Sequence, residues 1–250
     1  LIKHSEELHD GIVKLITELA TPNRYANEEF NSKLTYPKEY EGPKPIEEQI
    51  NTLAMIFNLN PSHALEFAKN LPELPKGAEG LFSIPRWEKI AMIYNEAVEI
   101  VFTLIASKRN FYNLCNGKTR ADYLRQHFHT WTTFQKLSNQ QKDSDILIVP
   151  AQFGLHRKSR SVRRAREVLI NNEFGLGAFA VGCMLLSHPK REVQWEQLHI
   201  DCAGDEFSQN ANNTFLNATS FCFDGGGIEF RTREISDTKW NFGSATGFLF

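Results

Sequence analysis

The hydrophobic period of this chain changes once, near Asp145, and that change limits its possible folds more than any other feature. Before it, apolar residues recur at three- and four-residue steps, the period of one helix face. After it come short apolar runs, alternation and a glycine-rich turn. Ser5 suits a helix cap ahead of Leu8, Ile12, Leu15 and Leu19. Residues 21–45 carry four prolines and read as an irregular connection. Pro45 fits the first turn of a helix with Ile46, Ile50, Leu53 and Phe57 on one side. Asn60-Pro61 opens a short helix to about Asn70. The longest stripe is Trp87, Ile90, Ala91, Tyr94, Val98, Val101 and Ile105, which predicts one helix from Pro85 to Lys108. A further helix is expected after Thr119, with Tyr123, Leu124, Phe128, Trp131 and Phe134 inward.

Beyond Asp145, the run Ile146 to Val149 ends at Pro150 and reads as a buried strand. Ser161 to Asn171 reads as a helix. Gly177 to Ser187 fits helix or strand, and its small residues favour a closely packed helix. Gln194 to Cys202 alternates. Phe221 and Phe223, then Ile228 and Phe230, flank Asp224-Gly225-Gly226-Gly227, a hairpin with a glycine turn. Thr246 to Phe250 reads as a last strand. Helices and strands are segregated along the chain, so the expected class is α+β. A helical region, residues 1–140, packs on an α+β region, residues 141–250, that holds a small, mainly antiparallel sheet.

Composition removes whole classes. A net charge of -2 over 250 residues excludes a protein basic all over, so any nucleic-acid surface has to be local. The longest apolar stretch, Gly177 to Leu186, is half of the roughly 20 residues a membrane span needs. No basic region followed by an apolar block opens the chain, and a cytoplasmic protein without a membrane partner is expected. Cys115, Cys183, Cys202 and Cys222 form no C-x-x-C pair and have apolar neighbours, which suits buried free thiols.

The densest charge lies in His156-Arg157-Lys158-Ser159-Arg160-Ser161-Val162-Arg163-Arg164-Ala165-Arg166, where six residues are Lys or Arg. It sits between an expected strand and an expected helix that Ser159 or Ser161 would cap. A helix start with free amides and nearby guanidinium groups attracts anions. His156, Arg157, Lys158, Arg160, Ser161, Arg163 and Arg164 are therefore candidate phosphate-binding residues. The plainer alternative is a solvated basic helix, or one paired with the chain's own acids. The glycine spacing of a Walker loop or dinucleotide fingerprint is absent.

A second cluster is His199-Ile200-Asp201-Cys202-Ala203-Gly204-Asp205-Glu206. On a strand His199 and Asp201 share a face, and a turn at Ala203-Gly204 can bring Asp205 or Glu206 to them. Asp201 and Asp205 are candidate ligands for a divalent metal, and His199, Asp201 and Glu206 are candidate acid–base groups. The plainer alternative is a strand leaving its sheet into an acidic turn. His127 and His129 diverge on a helix and share no ligand. Alternate phenylalanines in the hairpin fit a core better than a base-stacking platform.

Three functions follow. Counted against phosphates, the arginines outnumber what one pyrophosphate needs, which favours a nucleic-acid-binding or nucleic-acid-processing protein. The alternatives are a small-molecule enzyme holding a phosphate-bearing ligand, and a protein–protein interaction module without catalysis.

Overall fold

Two sheets enclose one wholly buried helix. The computed structural model describes residues 23–115 and 117–250, so the helix expected from Ser5 to Leu19 lies outside the described residues. The first sheet has the order β1-β4-β10-β5, with β1 Gly80–Pro85, β4 Ile146–Gln152, β5 Glu173–Gly175 and β10 Thr246–Phe248, all antiparallel. The second has the order β2-β8-β7-β6-β3, with β2 Phe111–Asn113, β3 Leu124–Gln126, β6 His199–Phe207, β7 Asn217–Asp224 and β8 Gly227–Glu234. A short β9, Phe242–Ser244, joins β6 in parallel, and β2 runs parallel to β8. Only Ala245 separates β9 from β10, so the chain steps from one sheet to the other there.

The helices are α1 Ile46–Phe57, α2 Ser62–Phe67, α3 Tyr94–Ala106, α4 Phe128–Gln140, α5 Val162–Glu167 and α6 Ala178–Ser187. The class is α+β, as expected. Every residue of α6 is buried. A helix apolar all round has no solvent face to offer, so it becomes the centre. It packs on α3, β1, α1 and β6. A Cβ at Gly182 would stand 2.4 Å from Val101 Cγ1, so glycine lets α3 and α6 approach closely.

Several expected elements appear where the residues place them. All of β4 is buried, though it runs past Pro150 to Gln152. Of β4, β10 pairs only Gln152 and Ala151, so that ladder stops beside the residue with no N–H to donate. The β7–β8 hairpin turns at Gly225-Gly226, both with positive φ as a type I′ turn requires.

The first 140 residues differ from the expectation. Their described part holds β1, β2 and β3 as well as α1 to α4. The single helix expected from Pro85 to Lys108 is instead the end of β1, a 3₁₀ turn at Trp87–Lys89, and α3. Pairing with β4 decides this: Pro85 closes the β1 ladder opposite Ile146, which pre-empts the helical period. Likewise Leu124–Gln126 is drawn into β3 by β6 before α4 begins. Among the described residues no helix is long and apolar enough to cross a membrane.

Candidate functional site

Gly154 sets the path of the basic segment. Its φ of 128° suits glycine, and a Cβ there would lie 2.6 Å from the Gly243 carbonyl oxygen. The chain then runs along β9: Ser159 N–H donates to the Phe242 carbonyl at 2.7 Å. On its other side, Phe30 N–H donates to Ser159 O at 2.8 Å and Ser161 N–H to Glu28 O at 3.1 Å. Ser161 is the cap of α5, accepting from Arg164 N–H at 3.1 Å. The expected anion-ready amides are occupied, because Arg163 N–H donates to Ile235 O and Ala165 N–H to Ser161 O.

The guanidinium groups are engaged too. Arg157 is buried and donates through Nε to Glu173 at 2.9 Å, with a second bond from Nη2. Arg163 bonds Glu28 through Nε at 2.8 and 2.9 Å, again with a second nitrogen, and lies over the Tyr25 ring. These bonds hold the Glu28 carboxyl below the usual carboxylate range. Arg164 reaches Glu29 at 2.5 Å and Glu167 at 2.8 Å, and Arg160 pairs with Glu29 at 3.2 Å. Arg166 donates to the carbonyls of Ala203 and Asp205 at 2.9 and 2.6 Å. Lys158 Nζ donates to Leu34 O at 3.2 Å. Burial lowers the His156 pKa, and the neighbouring Arg157 charge adds to this. The segment thus acts as a clasp that fastens residues 24–30 to α5. Glu28 and Glu29 supply two of its acids, and sequence reading passed over them inside the proline-rich connection. The available signal was the charge balance, since a chain of net charge -2 must hold acids against so dense a basic run.

A consequence follows for the arginines. Arg163→Ala with Arg164→Ala is expected to lower the melting temperature by a few degrees and to open residues 23–36 to limited proteolysis. Unchanged protection of that segment would show that the ion pairs do not fasten it.

The second cluster does not converge. His199 and Asp201 share a face of β6, as expected, but each has its own partner. His199 Nδ1 lies 3.1 Å from Glu192 Oε2, with both side chains buried. Asp201 is gripped by Arg233, which donates from Nε at 2.8 Å and from Nη2. The β6–β7 register shifts between Cys202 and Phe207, and this irregularity sends Asp205 elsewhere. Asp205 is buried and accepts from Ala178 N–H at 2.7 Å, Tyr94 Oη at 2.8 Å and Thr219 Oγ1 at 3.3 Å. Burial pushes its pKa up to about 6, against those three bonds. Glu206 pairs with Arg125 at 2.8 Å. The metal pairing of Asp201 with Asp205 is therefore corrected. Among the described residues no group of three His, Cys, Asp or Glu is placed to hold a metal. The four cysteines are buried and free, and burial raises all four thiol pKa values, those of Cys115 and Cys222 to about 12.

A groove at the start of α3 escaped the sequence reading. Ile93 occupies the cap position of α3, where a polar side chain is usual, and its apolar side chain makes no cap hydrogen bond. Asn95 Nδ2 donates to the carbonyls of Thr119 and Leu124 at 2.5 and 2.8 Å, which fixes the loop 119–124 beside the helix. Between them lies a hollow of about 930 Å³. Ile90, Met92, Ile93 and Ile100 line it, and Met92 is 89% exposed. Glu96, Glu99 and Asp122 stand among the lining residues against one cation, Arg120. The readable signal was Ala91-Met92-Ile93, an apolar run at a helix start.

Comparison with protein-family models, curated proteins and solved structures gave no match.

Proposed function

We propose that this chain is an interaction module whose groove beside α3 receives an amphipathic, positively charged segment of another protein. The observation that carries this is Met92, almost wholly exposed on an apolar floor with Ile93 and Ile100, amid an acidic surround. Contiguous exposed apolar surface favours association, because covering it removes that surface from water. The charges choose the partner. Glu96 and Asp122 attract lysine or arginine, while a second copy of this chain would bring its own carboxylates against them. A helix with apolar residues at i, i+3, i+4 and i+7 and basic residues elsewhere fits that description.

A grip on nucleic-acid phosphates competes with this reading. It would require Arg160, Arg163 and Arg164 to exchange Glu28, Glu29 and Glu167 for phosphates. One charge-assisted pair would replace another of similar strength, so the geometry lends that reading no support.

The test uses a fluorescent synthetic helix of leucines and lysines, with a leucine–glutamate twin as control. The basic peptide is expected to bind, and the acidic twin to bind at least about tenfold more weakly, a difference of roughly 1.4 kcal/mol. Met92→Asp with Ile100→Asp is expected to weaken the basic peptide by a similar factor or more. Equal affinity for both peptides, or no loss in the double variant, would remove the proposal.

A further inference from the structure

The chain has three methionines, and the fold gives each a different setting. Met184 is fully buried in α6. Met55, on α1, is 84% exposed and is not among the residues lining the α3 groove. Met92 is exposed to the same degree and does line it. A reagent in solvent therefore reaches two sulfurs, of which one lies in the groove. The other apolar lining residues are isoleucines and alanines, which offer a mild oxidant no atom to attack. Thiols ordinarily compete for peroxide as thiolates. Here all four are buried, and burial raises each thiol pKa, so thiolate is scarce.

We propose that Met92 is a reversible oxidation site through which a peroxide closes the α3 groove to its partner. This rests on the reading of that groove as a docking site for a basic amphipathic segment. The step balances as a two-electron oxygen transfer. The O–O bond of hydrogen peroxide breaks, an S–O bond forms on Met92, and the remaining oxygen leaves with both protons as water. Sulfur is oxidised and peroxide is reduced. A thiol-dependent reductase reverses the change: two thiols become a disulfide, and the sulfoxide oxygen leaves as water. The sulfoxide is polar where the thioether was apolar. In the free chain water solvates its oxygen. Beneath the apolar face of a partner that water is lost, and the lining carboxylates Glu96, Glu99 and Asp122 accept hydrogen bonds without donating any. The converse also holds, because a docked segment covers the sulfur and shields it from peroxide.

The test treats the whole chain with hydrogen peroxide and maps each methionine by mass spectrometry. Affinity for the fluorescent leucine–lysine helix is measured before and after. Met92 and Met55 are expected to gain oxygen while Met184 does not. The Kd is expected to rise about fivefold or more, the lower end of the cost of burying an unpaired polar group. A methionine sulfoxide reductase with a thiol reductant is expected to restore it. Met55→Leu should keep the response, and Met92→Leu should lose it whatever its starting affinity. Saturating peptide is expected to slow oxidation of Met92 and to leave that of Met55 unchanged. If the peptide fails to bind the untreated chain, or binds and leaves Met92 unprotected, the docking reading falls and this inference with it. If the peptide binds and protects, two results overturn this inference alone: affinity unchanged once Met92 is oxidised, or a loss that persists in Met92→Leu.

Discussion

Glu173→Ala is expected to destabilise the protein by about 3–5 kcal/mol, the largest loss foreseen for a single charge. Glu173 has no solvent exposure and Arg157 very little. The carboxylate accepts from Arg157 Nε at 2.9 Å and from Thr246 Oγ1 at 2.8 Å, and Thr246 in turn accepts from Gln152 at 2.8 Å. These bonds tie β5, β10 and β4 of the first sheet to the start of the basic segment. Removing the carboxylate alone leaves a buried guanidinium without its counter-charge, and that desolvation is the main cost. Removing both charges avoids it. Arg157→Met with Glu173→Leu is therefore expected to recover most of the loss, and the non-additivity measures the coupling. Urea denaturation of the wild type, Glu173→Ala, Glu173→Leu, Arg157→Met and the double variant at neutral pH gives the answer. A loss below about 1 kcal/mol in Glu173→Ala would mean that Arg157 finds water easily. The segment would then be loose enough to turn its charges outward, as a phosphate grip requires.

That outcome bears on what the sequence could reveal. Local chemistry was legible. The apolar run of β4, the two-glycine hairpin, the helical choice for α6 and the Ser161 cap all follow from residues within a few positions of one another. Long-range pairing was not. Phe111–Asn113 becomes a strand only because β8 offers an edge more than a hundred residues later. The Trp87 stripe has helical spacing, yet Pro85 is committed to β4 across the sheet. The basic segment was read correctly as unusual. Its partners Glu28 and Glu29 lie about 130 residues away, however, and no spacing rule links them to it. For β6, alternation placed His199 and Asp201 on one face. The shift in register after Cys202 then separated Asp205 from them, and irregularities of this kind leave no periodic trace. The α3 groove was hidden for the opposite reason. Met92 and Ile93 look like core in a sequence, and only the folded surface shows Met92 almost wholly exposed and Ile93 about half exposed.

Asp205→Ala is expected to cost about 3 kcal/mol or more at neutral pH. Gly177, the cap residue of α6, has no side chain to offer the helix start. Asp205 fills that role from a different strand, accepting from Ala178 N–H, and Tyr94 and Thr219 complete its coordination. Truncation strands three buried donors in the most buried part of the molecule. Position is equally constrained: a Cβ at Gly177 would lie 2.2 Å from Asp205 Oδ1, so the glycine makes room for its own cap. The pH dependence carries a definite sign. Burial raises the Asp205 pKa to about 6, from 3.8, so between those values the folded state binds the proton more tightly than the unfolded chain does. The stability this linkage contributes is full below about pH 4 and is lost as pH rises through about 6. At 1.36 kcal/mol per unit its span approaches about 3 kcal/mol. Glu28, Glu29, Glu167 and Asp145 have lowered pKa values and pull the other way as acid is added. Their effect is common to the wild type and to Asp205→Asn, so the difference between the two isolates Asp205. On going from pH 7 to pH 4, the wild type is expected to gain on Asp205→Asn by an amount near that span. A difference that stays flat across this range would place the Asp205 carboxylate in contact with water, and the helix start would then have to be held by something else.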